Sequence, residues 1–479
     1  MSFKRALGLF DSTMIVAGSM IGSGIFIVSA DIARTTGTPL LLLAVWVITG
    51  VLTLTAALSY GELAGMFPHA GGQYVYLREA FGPLAGFLYG WTLFTVIQTG
   101  TIAAVGMAFA KYTAVFIPSV AESNVLLDLG PIRVNGAQMV AIASILVLTL
   151  MNTRGVQLGK LIQNVFTTTK IASVIALAGI GIIIGWNSDV FTANWSTITS
   201  GIVPQGSWTP VTATIPLVFA VAVAMVGSVF SSDAWNNITF AAAEVRDPSK
   251  TIPRALIIGV SLVTLLYLAC NVAYLGLLPL VGDPDGATAL ARGISHATND
   301  RVGAAAADVM FGGVGAAVMA ALIMVSTFGC NNGLILSGSR AYFAMAKDGL
   351  FFAKAAALNE RGVPATSLWI QAAWASALCL SGTYGDLLDY VVFAVLLFYV
   401  VTIAGVFHLR RTRPNVERPV KAVGYPVMPA IYIVGAVFIC VALLIYKQQY
   451  TWPGLIIVAS GMPIYALWRR VNGRRSALQ

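Results

Sequence analysis

The chain has 479 residues, 58% of them hydrophobic and 10% charged, with a mean hydropathy of +0.83. A soluble domain carries about 25% charged residues, so composition excludes a water-soluble enzyme or binding module and makes a lipid bilayer the solvent. The formal net charge of +9 does not point to nucleic acid, because the basic residues sort into alternate connections between apolar runs.

A helix needs about 20 apolar residues to cross a bilayer. In chain order the apolar runs predict twelve spans, at 11–34, 39–66, 82–116, 135–153, 157–185, 211–245, 254–279, 310–338, 366–384, 387–409, 426–446 and 453–468. An even number returns both termini to one side. Lys4, Arg5, Arg78, Arg154, Arg246, Lys250, Arg340, Lys347, Arg410, Arg411, Arg413, Arg469 and Arg470 belong to the larger basic group, and Arg34, Lys111, Arg133, Arg292, Arg301 and Lys447 to the smaller. The positive-inside rule places the larger group and both termini in the cytoplasm, the expected location being the cell's inner (plasma) membrane. Arg410-Arg411-Thr412-Arg413 reads as a topology anchor, with anionic lipid headgroups as the other reading.

Lys4 and Arg5, an apolar stretch and Val28-Ser29-Ala30 imitate a secretory signal. Asp11 and the glycines interrupt its hydrophobic region, and the next span follows closely, so a retained first helix is expected. Cys270, Cys330, Cys379 and Cys440 all fall in predicted spans, which argues against a disulfide framework. His69, His296 and His408 are scattered, with no neighbouring ligand set, so neither a metal nor a cofactor is expected.

Two runs interrupt otherwise apolar spans with small and polar residues: Gly18-Ser19-Met20-Ile21-Gly22-Ser23-Gly24-Ile25-Phe26, and Val226-Gly227-Ser228-Val229-Phe230-Ser231-Ser232-Asp233-Ala234-Trp235-Asn236. In hydrocarbon, backbone freed from a helix is tolerated where it faces protein, a ligand or a water-filled cavity. One such run is equally well explained by close helix packing through small residues. Two, in corresponding halves, are what an inverted-repeat transporter predicts, and they locate the candidate substrate site.

Asp11, Glu62, Glu244 and Asp247 read as residues at cytoplasmic span ends, and Asp31, Asp386 and Asp389 as residues at outer ends. Lys170 in the fifth span and Asp233 in the sixth remain at depth. Each costs about 2.5–3.5 kcal/mol at mid-bilayer on insertion scales, so each is expected to face the protein interior, either in a pathway or paired for structure alone.

Four separated stretches carry a family likeness. They are Ile21-Gly22-Ser23-Gly24-Ile25-Phe26; Tyr60-Gly61-Glu62-Leu63 with Pro68-His69-Ala70-Gly71-Gly72-Gln73-Tyr74-Val75-Tyr76 and Phe81-Gly82; Trp235-Asn236 with Glu244-Val245-Arg246-Asp247-Pro248 and Ile252-Pro253-Arg254-Ala255; and Phe328-Gly329-Cys330-Asn331-Asn332-Gly333 with Ser339-Arg340. With them the chain resembles the amino acid–polyamine–organocation superfamily, and within it the L-type amino acid transporter-like branch.

The resemblance implies an all-α LeuT-type fold with broken first and sixth helices. Its ten-helix inverted-repeat core falls on 1–409, with repeats at about 11–185 and 211–409, and two further helices with a short tail fall on 410–479. The amides of Gly22, Ser23 and Gly24 are expected to hold an amino acid's carboxylate, as helix starts suit anions. The family's main-chain acceptors for the ammonium map onto Met20, Ile21, Phe230 and Ser231, with Phe230 also resembling an aromatic gate. Asp233 and Trp235 complete the expected substrate set.

Lys170, in Thr167-Thr168-Thr169-Lys170, matches the fifth-span lysine typical of sodium-independent members. Its ammonium would take the place of a sodium ion and repel one. Uniport, exchange and proton coupling stay open. Animal relatives of this branch have an outer-loop cysteine that joins a heavy subunit; the corresponding loop here, about 117–134, has none, so no disulfide-linked heavy subunit is expected. Asp233 near the pocket would attract arginine, lysine or a polyamine, yet neutral carriers also have Asp there. A neutral or broad small amino acid is ranked first, a cationic amino acid or polyamine second.

An enzyme would need a convergent nucleophile–base or metal set, and the predicted spans hold none. A channel would need a repeated filter, whereas paired interruptions fit alternating access. A sensor would normally have a long signalling tail, and few residues follow the last predicted span, so that reading is ranked last.

Overall fold

Backbone amides and carbonyls in an apolar medium must bond within their own segment, and this chain meets that demand with helices almost throughout. The structure, a computed structural model, describes residues 5–128, 133–196, 216–381 and 384–476. Among them, ten helices are long and apolar enough to cross a membrane. The first part comprises α1 (Leu9–Met20), α2 (Gly24–Ile27), α3 (Ser29–Thr36), α4 (Pro39–Met66), α5 (Gln73–Phe81), α6 (Pro83–Thr92) and α7 (Gln98–Thr113), the last two joined by a π-helical turn at Leu93–Ile97. A two-stranded antiparallel hairpin, β1 (Val125–Asp128) with β2 (Arg133–Asn135), leads into α8 (Gly136–Thr153), α9 (Val156–Ile183) and α10 (Ser188–Ser196).

The second part holds α11 (Leu217–Ser231), α12 (Asn237–Phe240), α13 (Pro248–Leu277), α14 (Ala289–Arg292), α15 (Val302–Lys347), α16 (Ala365–Cys379), α17 (Tyr384–Thr412), α18 (Val427–Tyr446) and α19 (Gln448–Ser476). Starts are written in the sequence. The Thr38 hydroxyl accepts from the Leu41 amide with Pro39 behind it, and Asn135 and Gln138 form a reciprocal capping box on α8.

Most predicted spans coincide with helices to within a few residues. Two have no helix of crossing length among the described residues. α11 starts at Leu217, and residues 211–215 of the predicted 211–245 run lie outside them; α16 has 15 residues, and 382–383 lie outside as well. α15, at 46 residues, exceeds the predicted 310–338, but Gly312 at φ 66° and ψ −164° breaks it into an arm before the glycine and a long helix after it. A side chain is strained in that region, and glycine is not.

α4 packs along α13, α9 and α7 flank α15, and α1 sits against α13 and α9, so the interrupted segment α1–α2 runs through the centre of the bundle. Glu62, near the end of α4, and Glu244, in the turn after α12, stand at the span ends expected for them but are buried there, and the loop reading of Arg340 needs correction, because it is buried within α15. The reason is pairing. Arg340 donates from Nε and Nη2 to Glu244 Oε1 at 3.0 Å, and from Nη1 to Leu336 O and Ser339 Oγ. The amides of Ala6 and Leu7 donate to Glu244 O, which straps the N-terminal segment to the same point. Arg410 clasps Glu62 with two bonds of 2.9 and 2.6 Å, Arg418 lies at 3.3 Å, and the Ala422 amide donates to the same carboxylate.

Removing one member of such a pair leaves a charge buried alone, at a cost of about 3–5 kcal/mol. Arg340→Met is therefore expected to lower the thermal transition of the purified protein sharply, and Glu244→Gln added to it to recover most of the loss. Tryptophan fluorescence melts of parent, single and double variants check this; equal losses in single and double would contradict it.

Candidate functional site

The interruptions begin as helix ends. α1 stops at Met20, Ile21 turns extended at φ −74° and ψ 92°, and helix resumes at Gly24. A helix end leaves carbonyls with no partner in the helix, and here side chains from three other helices collect them. The fully buried Lys170 of α9 donates Nζ to Gly18 O and, at 2.8 Å, to Ile21 O. From α15, Cys330 Sγ reaches Ser19 O at 3.0 Å, and Ser326 Oγ lies 3.2 and 3.1 Å from Ile21 O and Gly22 O. From α13, the Tyr267 hydroxyl lies 3.0 Å from Met20 O and 3.1 Å from Ser231 O, so one proton bridges the two interruptions.

The second interruption is sharper. α11 ends at Ser231, and Ala234 adopts φ 63°, a left-handed conformation that costs a residue with Cβ about 1–2 kcal/mol. Such strain persists where surrounding contacts enforce it, commonly at functional positions. Those contacts are visible: Asp233 Oδ1 accepts from the Tyr399 hydroxyl of α17 at 2.6 Å, and Trp235 packs against Tyr60 and Tyr399 with ring centroids 4.7 and 5.3 Å away. Beyond it, Asn236 donates to Gln73 Oε1 and Gln73 donates to Thr402 Oγ1, both at 3.0 Å.

Two small cavities adjoin this turn. One of about 10 Å³ is lined by Gln73, Gln98, Asp233, Asn236 and Tyr399 among others; a second of about 20 Å³ is lined by Thr49, Thr53, Ser232, Asp233, Trp235 and Tyr399 among others. Asp233 and Tyr399 are the residues common to both linings.

Of the sequence-expected residues, the structure brings Met20, Ile21, Gly22, Gly24, Ser231 and Lys170 into one polar knot. Phe230 is buried beside it, and Asp233 and Trp235 lie one turn on, against Tyr399. Ser23 is buried between the two halves of the first interruption. The four expected ammonium acceptors are all in use: Met20 O and Ser231 O by Tyr267, Ile21 O by Lys170 and Ser326, and Phe230 O by the Asp233 amide. A carbonyl has two lone pairs, so Met20 O, Phe230 O and Ser231 O each retain capacity for a second donor, whereas Ile21 O has room for one only when the single Ser326 proton goes to Gly22 O.

Sequence reasoning missed Tyr267, Ser326, Cys330, Tyr399, Gln73 and Gln98. The available signal was a hydroxyl or amide inside an apolar span, which needs a partner once buried. What the sequence lacks is the pairing of distant helices that supplies one.

The fold and site define a multi-pass helical membrane protein organised around two interrupted segments. The chain belongs to the amino acid permease family, whose model matches residues 7–468. It is 30% identical over 474 residues to the large neutral amino acids transporter small subunit 2 of Homo sapiens, covering 97% of this chain and 81% of that protein. It is 30% identical over 481 residues to the Asc-type amino acid transporter 1 of Mus musculus, covering 98% and 82% respectively. Against the b(0,+)-type amino acid transporter 1 of Mus musculus the figures are 28% over 472 residues, 98% and 88%.

Gly24 is where the two interruptions touch: a Cβ there would lie 2.6 Å from Ser231 Cβ and 3.0 Å from its Cα. Gly24→Val is expected to insert in the membrane normally yet lose amino acid uptake. Gly24→Ala is expected to lose most of it and to regain part when Ser231→Gly removes the opposing atoms. Uptake in proteoliposomes, normalised to inserted protein, checks the three; normal uptake by Gly24→Val would refute the assignment.

Proposed function

We propose that this chain is a sodium-independent amino acid transporter working by alternating access, with neutral or broad small L-amino acids as its first substrates. In this reading α1–α2 and α11–α12 are the broken first and sixth helices of a LeuT-type, twelve-span fold. Its inverted repeats are at about 11–185 and 211–409, and two added helices follow in 410–479. Both termini are cytoplasmic, the membrane is the cell's inner (plasma) membrane, and the carrier works without a disulfide-linked heavy subunit. The names of its relatives, all amino acid transporters, support the substrate class.

The single observation that carries the sodium-independent reading is the Lys170 ammonium resting on Gly18 O and Ile21 O. Carbonyl oxygens freed at a helix break are what a sodium ion would seek. A covalently held cation already occupies them, and a second positive charge alongside is repelled. The substrate's carboxylate then goes to the amides of Gly22, Ser23 and Gly24. Its ammonium goes to the second lone pairs of Met20, Phe230 and Ser231, and to that of Ile21 once the Ser326 hydroxyl turns to Gly22 O, and its side chain goes toward Asp233 and Trp235.

Uptake by the parent protein is expected to be the same in sodium and choline media, and Lys170→Ala to lose it because α9 releases α1. Radiolabelled alanine uptake in proteoliposomes measures both. A sodium requirement in the parent would overturn the reading.

A cationic amino acid or polyamine carrier is the second reading, favoured by one observation: Asp233 lines both cavities beside the break. An ion pair at about 4 Å in an effective dielectric of about 20 has roughly 4 kcal/mol of attraction before desolvation. Even a fraction of that changes affinity about tenfold. Competition of uptake by arginine and by alanine is compared in the parent and Asp233→Asn. Equal weakening of both competitors is expected for the first reading; selective loss of arginine would promote the second.

A further inference from the structure

Away from the interruptions, the connection between α13 and α15 forms a basin of about 430 Å³, lined by Thr288, Arg292, Thr298, Arg301, Ala304 and Asp308 among others. We propose that this basin is a second binding site, specific for the carboxylate of a small organic molecule, with Arg301 and Arg292 as its anchors. The proposal stands apart from the transport reading, because it rests on the chemistry of the basin alone.

The connection is rigid. Its turns are closed by the bonds of Ile294 N to Pro279 O, Ser295 N to Leu280 O and Asp283 N to Ala291 O. The Asn194 side chain of α10 donates to Leu275 O and Leu278 O and accepts from the Leu280 amide. Asn299 and Asp300 both hold positive φ, 53° and 60°, immediately before Arg301. Two successive left-handed residues with side chains mark a conformation enforced by its surroundings.

That turn separates the charges. Arg34 of α3 takes the Asp300 carboxylate at 2.7 Å and also donates to Ser295 O, while Asp31 lies 3.5 Å from the same guanidinium. The acid next to Arg301 in sequence is thereby already engaged. Arg301 instead sits over the Tyr112 ring at 5.9 Å, with Nε buried and lacking a hydrogen-bond partner among the described residues. Arg292 is fixed at two points, from Nε to Gly286 O at 2.7 Å and from Nη1 to Thr298 Oγ1 at 2.6 Å.

A guanidinium is a planar fork that matches a carboxylate, and its charge cannot be removed by deprotonation. Ala304 lies in the first turn of α15, where amides lack helical partners and favour an anion. Asp308 gives the lining one negative pole, which admits a monocarboxylate or a zwitterion and disfavours a multiply charged phosphate. Gly303, next to Ala304 in the chain, packs on α2: a Cβ there would lie 2.8 Å from a ring carbon of Phe26.

The test uses the unmodified protein in nanodiscs. Phenylglyoxal modifies accessible guanidinium groups, and mass spectrometry of the digested protein reads the rate at Arg301 and Arg292 separately. Alanine, propionate, alaninol and inorganic phosphate are each added at rising concentration. At a ligand concentration about ten times its dissociation constant, protection reaches about tenfold. Alanine is expected to slow modification of Arg301 and Arg292 without slowing that of the exposed Arg411, and alaninol to leave all three rates unchanged. Protection by propionate as well identifies a general carboxylate site; protection by alanine alone identifies the amino acid zwitterion; both support the proposal. Protection by neither, or by phosphate alone, overturns it. Repeating the alanine series on Gly24→Val separates this basin from the central site: persistent protection is expected, and its loss would show that the effect came from the centre.

Discussion

An unbonded backbone carbonyl inside an apolar bundle is the constraint around which this structure is arranged. Ending α1 at Met20 exposes the oxygens of Gly18, Ser19, Met20, Ile21 and Gly22, and a group buried without a partner costs about 1–3 kcal/mol. Lys170, Cys330, Tyr267 and Ser326 answer that demand from α9, α15 and α13. The interruption is thus what fixes the relative positions of three long helices. Lys170 needs the carbonyls as much as they need it, because an ammonium in the interior is tolerated only where several oxygens surround it.

The buried ion pairs extend the same logic to the ends of the bundle. Glu244 follows α12 directly and holds Arg340 near the end of α15, while Glu62 near the end of α4 holds Arg410 of α17 together with Arg418 beyond it. Each pair joins elements far apart in sequence. A buried pair adds little net stability over an apolar contact of similar shape, but its partners tolerate few alternatives, so its value lies in fixing which surfaces meet.

Much of this was readable in the chain before any coordinates. Apolar runs gave the helices because hydropathy and length are local properties; Gly22-Ser23-Gly24 and Ser231-Ser232-Asp233 located the interruptions because a break needs small or polar residues where a span needs apolar ones. The isolated charge of Lys170 identified it as an interior group. The burial and pairing of Glu62, Glu244 and Arg340 were not legible, since a charge near the end of an apolar run has the same local signature whether it meets water or a partner from another helix. The extent of α15 was misjudged because the arm before Gly312 is itself apolar and helical. Tyr267 and Tyr399 look like ordinary span aromatics until the fold sets a carbonyl or a carboxylate against each hydroxyl.

One feature of the centre bears on how the interior can rearrange. Asp233 and Tyr399 are the residues shared by the linings of both cavities, and a 2.6 Å hydrogen bond joins them. They form a partition one side-chain pair thick, with one leaf on the turn after α11 and the other on α17. A hydrogen bond to a charged group contributes about 1.5–3 kcal/mol, which corresponds to the pair being parted in roughly one molecule in ten to one in two hundred. The pair ties the turn after α11 to α17 at the point where the two small cavities meet, while Lys170 ties the first interruption to α9.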